Sequence, residues 1–435
     1  MSLQKRLLLA STFLAVATLN APAIAQSTED RFKALEARIE AQDARIADLE
    51  SQLAKADSGV DVASSDTYPE IAARSEKSGR SELVALALPG SVRQENSLDI
   101  SGDFRLRQEF NWSDRDAQSR TRSVMRARLR ASYAVNDKVT VGAQISTGDP
   151  DDPNTTDLTI GNFVDDLNAS LDKAYVKAKF GDLTISGGKF ANPFQRTDLV
   201  WDGDVNPQGL GATYTNPLGT GGAKLEVRGL YFLLNESVAG KGSDMLGAQL
   251  ALSVPIGPDW HADISAAYYD YRIRSIAGAD AGDFRSNLSR LDGSYLSDFN
   301  LGDVIANVTY RGLGEKWPVG VTADVVYNFG SATDEDTGYS VEVFAGQTMA
   351  LGDLRFGYSY SVVDTDAVFA AFSNDNLGIA TNYRLHALSV DYVPLKDTVL
   401  NLSYYMYRPK DTAFAGLDDP ADWLNRLRVN MLFNF

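Results

Sequence analysis

The chain has 435 residues, no cysteine, and 41 basic against 58 acidic residues, for a formal charge of −17. An acidic surplus of that size excludes the polyanionic backbone of nucleic acid as a partner. The absence of cysteine excludes a disulfide framework and a lipid-bearing thiol. Packing and hydrogen bonds alone hold the fold.

Lys5 and Arg6 precede the apolar run LLLASTFLAVATL, and the small residues Ala23 and Ala25 follow it. This order reads as a secretory signal peptide over residues 1–25, cut before Gln26. Its apolar core of 13 residues is too short to cross a bilayer as a helix, and no later run approaches the roughly 18 needed. Loss of the two basic leader residues takes the formal charge from −17 to −19.

Residues 26–56 have a different texture. Phe32, Leu35, Ile39, Gln42, Ile46, Leu49 and Leu53 alternate at spacings of three and four, the seam of a coiled coil with one polar position. Arg31, Arg38 and Arg45 fall at g, and Glu36, Asp43 and Glu50 at e, so parallel copies could pair charge to charge along their length. Residues 57–97 are rich in Ser, Ala and charge without a sustained period, which predicts a tether.

From Leu98 onwards, segments of period two recur, beginning with LDISGDFRLRQEF and ending with NRLRVNMLFNF. Sixteen can be counted, most of them 9 to 13 residues long, close to the 9–11 that cross a bilayer at a tilt. Long connections such as GDPDDPNTTDLTIGNFVDDLNA alternate with tight ones such as NDK, GD and LGD. The expected fold is all-β, a transmembrane antiparallel up-and-down β-barrel of about sixteen strands over residues 98–435, preceded by a short α-helical coiled coil.

A soluble sandwich would also alternate, so the identity of the alternating residues decides. Trp260, Ala262, Ile264, Ala266 and Tyr268 share one face of their segment, against His261, Asp263 and Ser265 on the other. In the fourth segment Ala174, Val176, Ala178 and Phe180 oppose Lys173, Tyr175, Lys177 and Lys179. Aromatics at segment ends, among them Tyr133, Phe180, Tyr310, Trp317, Tyr327, Phe329, Tyr392, Tyr407 and Trp423, are placed as interfacial girdles. The fourteenth segment alternates poorly, which predicts a bulge or a subunit contact.

The polar faces carry a wall of arginine. Asp99, Asp103, Arg105, Arg107 and Glu109 share the first strand's polar face, and Arg122, Arg126, Arg128 and Arg130 the second's; closure brings Arg426 and Arg428 of the last strand alongside. A guanidinium facing lipid at mid-depth costs about 2–4 kcal/mol, so these side chains are expected to line the lumen. The carboxylates among them could simply pair with the arginines and fill wall space. Catalysis has little to stand on, because only His261 and His386 offer an imidazole and no phosphate-cradling loop or metal-ligand spacing occurs. No cofactor, resident metal or catalytic residue is expected. The second long connection, with Asp149, Asp151, Asp152, Asp157, Asp165 and Asp166, could bind calcium or stay solvated.

The stretch GGKFANPFQRTDLVWDGDVNPQGLGATY, Gly187 to Tyr214, resembles the segment after the fifth strand in the family described as Putative porin in Gram-negative bacteria. Members share a signal peptide, a short coiled coil and a sixteen-stranded barrel, so the likeness covers the layout of nearly the whole chain. It implies an outer-membrane protein, a homotrimer, and passive diffusion of small hydrophilic solutes and ions, with outer-membrane lipid and lipopolysaccharide around the barrel. General porins, which the chain also resembles, fold their third long loop into the bore. The matching loop here, Phe190 to Gln208, carries Asp198, Asp202 and Asp204 beside Trp201. The terminal strand ending in Phe435 is similar to the signal read by the outer-membrane assembly machinery. An anion- or phosphate-selective channel and, further off, a tether or adhesin built on the coiled coil are the competing functions.

Overall fold

In a computed structural model of the protein, the residues described are 98–114, 119–149, 152–161, 166–236, 241–274, 286–415 and 421–435. The expected signal peptide, coiled coil and tether all lie outside them.

The strands are β1 (Leu98–Ser113), β2 (Ser119–Ala134), β3 (Val139–Thr147), β4 (Leu158–Ile160), β5 (Ala169–Phe180), β6 (Leu183–Lys189), β7 (Gln208–Leu218) and β8 (Ala223–Asn235). They continue as β9 (Ser243–Ile256), β10 (Trp260–Arg272), β11 (Phe299–Tyr310), β12 (Val319–Asn328), β13 (Thr337–Gly346) and β14 (Leu354–Val363), then β15 (Tyr383–Leu395), β16 (Thr398–Pro409) and β17 (Leu424–Asn434). Sixteen of these pair antiparallel with their chain neighbours, and β17 closes on β1 from Asp103↔Asn434 to Ser113↔Leu424. Every segment expected from the alternation is present. The extra one, β4, is a three-residue strand inside the second long connection that pairs with β2 at Ser123, Val124 and Met125.

Closure removes the open edges that a flat sheet would leave. Apolar side chains face out all round, with Leu98, Ile100, Val176, Leu250, Ile264, Val304, Val325 and Leu402 among the exposed ones. The polar faces turn inward, where Asp103, Arg107, Glu109, Arg126 and Arg428 are buried. This inside-out distribution is the one a barrel in lipid requires.

Two irregularities adjust the wall. The fourteenth segment, β15, keeps an unbroken register against β16 from Tyr383 to Tyr392 despite its weak alternation, and slips only beyond it, between Tyr392 and Leu395. A bulge sits on β5, where Lys173 opposes Gln144 but Leu171 opposes Ile145. The extra residue there turns Asp172 inward beside Lys173 and so breaks the strict alternation read from the sequence.

One girdle assignment fails. Tyr407 is buried on the inner face of β16, where its hydroxyl accepts the Gly378 N–H at 3.0 Å. Parity explains it: Leu402, on the same strand, faces lipid, and an odd-numbered Tyr407 must face the lumen.

Candidate functional site

All eight arginines expected at the lumen point into it, and strand register decides their partners. Asp103 stands opposite Arg128, and Glu109 stands between Arg122 on one side and Arg428 on the other. Asp103 meets Arg126 at 3.1 Å and Arg128 at 2.9 Å, and also pairs with Arg130. Glu109 is fully buried and meets Arg122 and Arg428 at 2.7 Å each and Arg426 at 3.7 Å. Two carboxylates thereby hold six guanidiniums that would otherwise repel one another in a narrow space.

The other two, Arg105 and Arg107, are taken by Asp157, which lies 2.6 Å from Arg107. The sequence reading left Asp157 in an outward acidic loop. The short strand β4, which begins at the next residue, instead draws it against the wall. Burial pushes the Asp157 carboxyl up, but Arg107 and Arg105 outweigh it and hold it below the usual carboxylate range. Among the described residues no cluster of three or more acidic or imidazole groups could hold a metal ion, and Asp151 and Asp165 lie outside them.

The loop between β6 and β7 folds into the bore and crosses it. Its root is a close approach: Gly188 has φ +108°, and a Cβ there would lie 2.3 Å from the Ala174 carbonyl oxygen. The outgoing limb is held by Gln249, whose amide accepts from Gln195 N and donates to Gln195 O, both at 2.8 Å. Thr197 then donates its hydroxyl proton to Asp324 on β12. On the return limb Asp204 reaches Arg128 at 2.9 Å and Arg126 at 3.7 Å, and Asn206 donates to Asp172 at 2.9 Å. The loop therefore spans from the β9–β12 side of the barrel to the arginine wall.

The loop residues singled out from the sequence have different jobs. Asp204 touches the wall, and Asp198 is exposed to the lumen, where Asn376 donates to it at 3.2 Å. Asp202 is buried and shapes the turn: its carboxylate accepts from Asp204 N at 2.8 Å, and its N–H donates to Phe372 O at 2.8 Å. Trp201 does not line the bore. It is fully buried, stacked on Phe372 at 5.7 Å and edge-on to Tyr269 at 5.5 Å. An indole has a large apolar body, and it anchors the loop by that burial.

Phe372 belongs to a second inward segment that the sequence reading missed, residues 364–382 between β14 and β15. Its apolar stretch Ala367–Phe372 is buried throughout. Asn287 secures it by donating to Thr365 O at 2.8 Å and accepting from Ala370 N at 2.9 Å, while Ser297 donates to Asp366 at 2.6 Å. Beyond it, Arg426 and Arg428 donate to the Asn376 carbonyl and side-chain oxygens, both at 2.6 Å. The available signal was VFAAF, an apolar run without period two in a connection that should have been solvated.

Water-sized space persists on both flanks of the loop. A cavity of about 420 Å³ is lined by Asp198, Asp324 and Glu342 with Arg196, and another of about 410 Å³ by Arg130, Lys173 and Lys177 with Asp99. The two flanks thus carry opposite signs. The imidazoles lie elsewhere. His261 offers the same nitrogen, Nε2, to Ser253 at 3.0 Å and Asp263 at 3.1 Å, so it cannot relay a proton between them, and His386 packs against Tyr360 and Trp423.

Residues 113–292, from the end of β1 past β10 and including the whole inward loop, match the family described as Putative porin. Over that span, well under half of its length, the chain is similar to this family. Similar solved structures include OprB of Pseudomonas putida, with 13% identity and a TM-score of 0.52, covering 83% of this chain and 97% of that one. OmpF of Salmonella typhi has 14% identity, a TM-score of 0.48, and coverage of 78% and 98%. The outer membrane channel DcaP of Acinetobacter baumannii has 14% identity, a TM-score of 0.45, and coverage of 80% and 100%. At such identities the likeness to OprB is one of fold. No curated protein matches the sequence.

Proposed function

We propose that the protein is an outer-membrane porin, a channel rather than a catalyst, through which small hydrophilic solutes and ions diffuse. The observation that carries this reading is the inward loop crossing a closed barrel, docked on the arginine wall through Asp204 and holding Asp198 on its far flank, across the bore from the surplus guanidiniums. Fixed charges of opposite sign across a low-dielectric gap focus a transverse field, which favours hydrated and dipolar solutes over apolar ones. A single-channel recording under a salt gradient tests it: the purified protein should conduct, and bilayers that stay silent at high protein would overturn the reading.

An anion-selective channel is the second reading. It is favoured by the surplus of eight wall guanidiniums over the four carboxylates that bridge them, Asp103, Glu109, Asp157 and Asp204. The sign of the reversal potential separates the two. Export by residues 1–25, a homotrimer, contact with lipopolysaccharide and recognition of Phe435 by the assembly machinery complete the proposal. The heptads of residues 26–56 would self-associate. If they instead made the protein chiefly a tether, deleting residues 26–97 would abolish its function, whereas a porin so shortened still conducts.

A further inference from the structure

The wall arginines are committed to carboxylates, whereas Lys173 and Lys177 of β5, one strand beyond β3, form no ion pair among the described residues. The bulge turns Asp172 inward beside Lys173, yet the two form no ion pair. Asp172 is engaged by Asn206 at 2.9 Å and Ser146 at 3.1 Å, which tie the inward loop to the wall. Lys177 lies over the face of Tyr175, 5.9 Å from the ring centre.

Register aligns the rest of a site. Arg130 stands opposite Gln144, and Gln144 stands opposite Lys173, so a cation flanks a buried amide on each side. Adjacent strands are about 4.8 Å apart, which sets the two cationic backbones about 10 Å from each other. Gln144 accepts from Arg130 Nε at 2.8 Å and so orients that guanidinium. Both cations and Lys177 line the cavity of about 410 Å³ beside the loop, with Asp99 as its only carboxylate and hydroxyls from Ser132, Ser186 and Thr213 on its walls.

We propose that this chamber is an oxyanion site, in which Arg130 and Lys173 hold a phosphate or carboxylate group in front of Gln144 and Lys177 receives it next. Lys177 lies four residues on, about 13 Å nearer the short-turn rim, so the two lysines make successive stations rather than one clamp. Charge-assisted hydrogen bonds to an oxyanion are roughly twice as strong as neutral ones, and a sugar lacking the charge gains nothing comparable. The inference rests on the channel reading and adds to it the class of solute and the residues that select it: Lys173 and Lys177, unpaired among the described residues, with Arg130, which also pairs with Asp103, beside them.

The experiment uses the full-length protein in planar bilayers, with chloride current recorded as inorganic phosphate is added and, in a parallel series, acetate. Phosphate should block the current, and Lys173→Gln should raise the half-blocking concentration about tenfold while Lys173→Arg holds it within about threefold. Acetate acting as phosphate does assigns the site to oxyanions generally, and block by phosphate alone assigns it to phosphate. Heat-modifiable migration on gels verifies that each variant is folded. A folded Lys173→Gln channel blocked like the wild type overturns the site while leaving the porin intact. A wild-type protein that neither conducts nor lets neutral sugars swell liposomes overturns the porin reading itself, and this site with it.

Discussion

Arg128 of β2 and Asp204 of the inward loop lie 2.9 Å apart, one on the barrel wall and the other at the far reach of a segment rooted at β6 and β7. Among the described residues Asp204 is the only carboxylate of this inward loop in contact with the wall, and it also takes Arg126 at 3.7 Å and the Thr156 hydroxyl at 3.1 Å. Replacing Asp204 with Asn removes one negative charge and leaves Arg126 and Arg128 to share Asp103. The loss of a charge-assisted contact is worth about 1–3 kcal/mol to docking of the return limb. The reversal potential under a potassium chloride gradient should move towards anions and the conductance should rise. An unchanged reversal potential would mean that the wall charges are screened before a solute meets them.

The barrel was legible in the sequence because a lipid-facing wall must alternate, and Trp260 to Tyr268 or Val176 to Phe180 obey that rule residue by residue. The wall half of the site was legible for the same reason: eight arginines at lumen parity have nowhere else to go. Parity says nothing about where a loop goes. Asp157 looked like one more solvated aspartate, Trp201 like a bore residue, and residues 364–382 drew no reading at all. Their places follow from packing between segments distant in the chain, such as Trp201 on Phe372, and no local period encodes that. The bulge at Asp172 was hidden because one inserted residue changes the phase without changing the composition.

Trp201 gives the next test. Its indole is buried against Phe232, Tyr269, Tyr271 and Phe372, so truncation to Ala leaves a cavity between the two inward segments. Such a truncation costs about 3–5 kcal/mol. The cost falls on loop docking, because the barrel is held by its strand ladder. Trp201→Ala should therefore keep its heat-modifiable band on gels but show a larger, noisier single-channel current. Loss of the folded band would show instead that the inner cluster is needed for the barrel to form.

Selectivity should also depend on pH through Asp198. Enclosure by the barrel, and then the Asp375 carboxylate, push its carboxyl up to about 6; Arg196 opposes them, and Glu342 and Asp204 add to the rise. The sign follows directly. Above pH 6 Asp198 is charged and attracts cations; as the pH falls through that value it becomes neutral and the basic wall dominates. Reversal potentials measured from pH 7.5 to 5 should move towards anions, and the step should shrink in Asp198→Asn. A step of equal size in that variant would place the titrating group elsewhere.

The seam between the first and last strands separates two roles that Phe435 could play. Gly102 donates to the Phe435 carbonyl at 2.8 Å and accepts from its N–H at 3.1 Å, so the terminal residue is part of the ladder. The ring lies over Gly102 itself: a Cβ there would fall 2.4 Å from the Phe435 ring and 2.6 Å from the Arg128 carbonyl oxygen. The first contact can be relieved by turning the ring, but the second is backbone and cannot yield without opening the β1–β2 pair. Gly102→Ala should therefore cost about 1–3 kcal/mol wherever the barrel folds, in cells or in lipid vesicles with no other protein present. Phe435→Ala keeps both backbone bonds and loses only an exposed ring, so it should fold nearly normally in vesicles. If the ring also serves as an address for the assembly machinery, the same variant should fail to accumulate in the outer membrane of cells. Folded yield in vesicles against outer-membrane yield in cells, compared for the two variants, checks this. Equal losses for Phe435→Ala in both settings would make the ring a structural wedge, and accumulation at wild-type level in cells would remove the address.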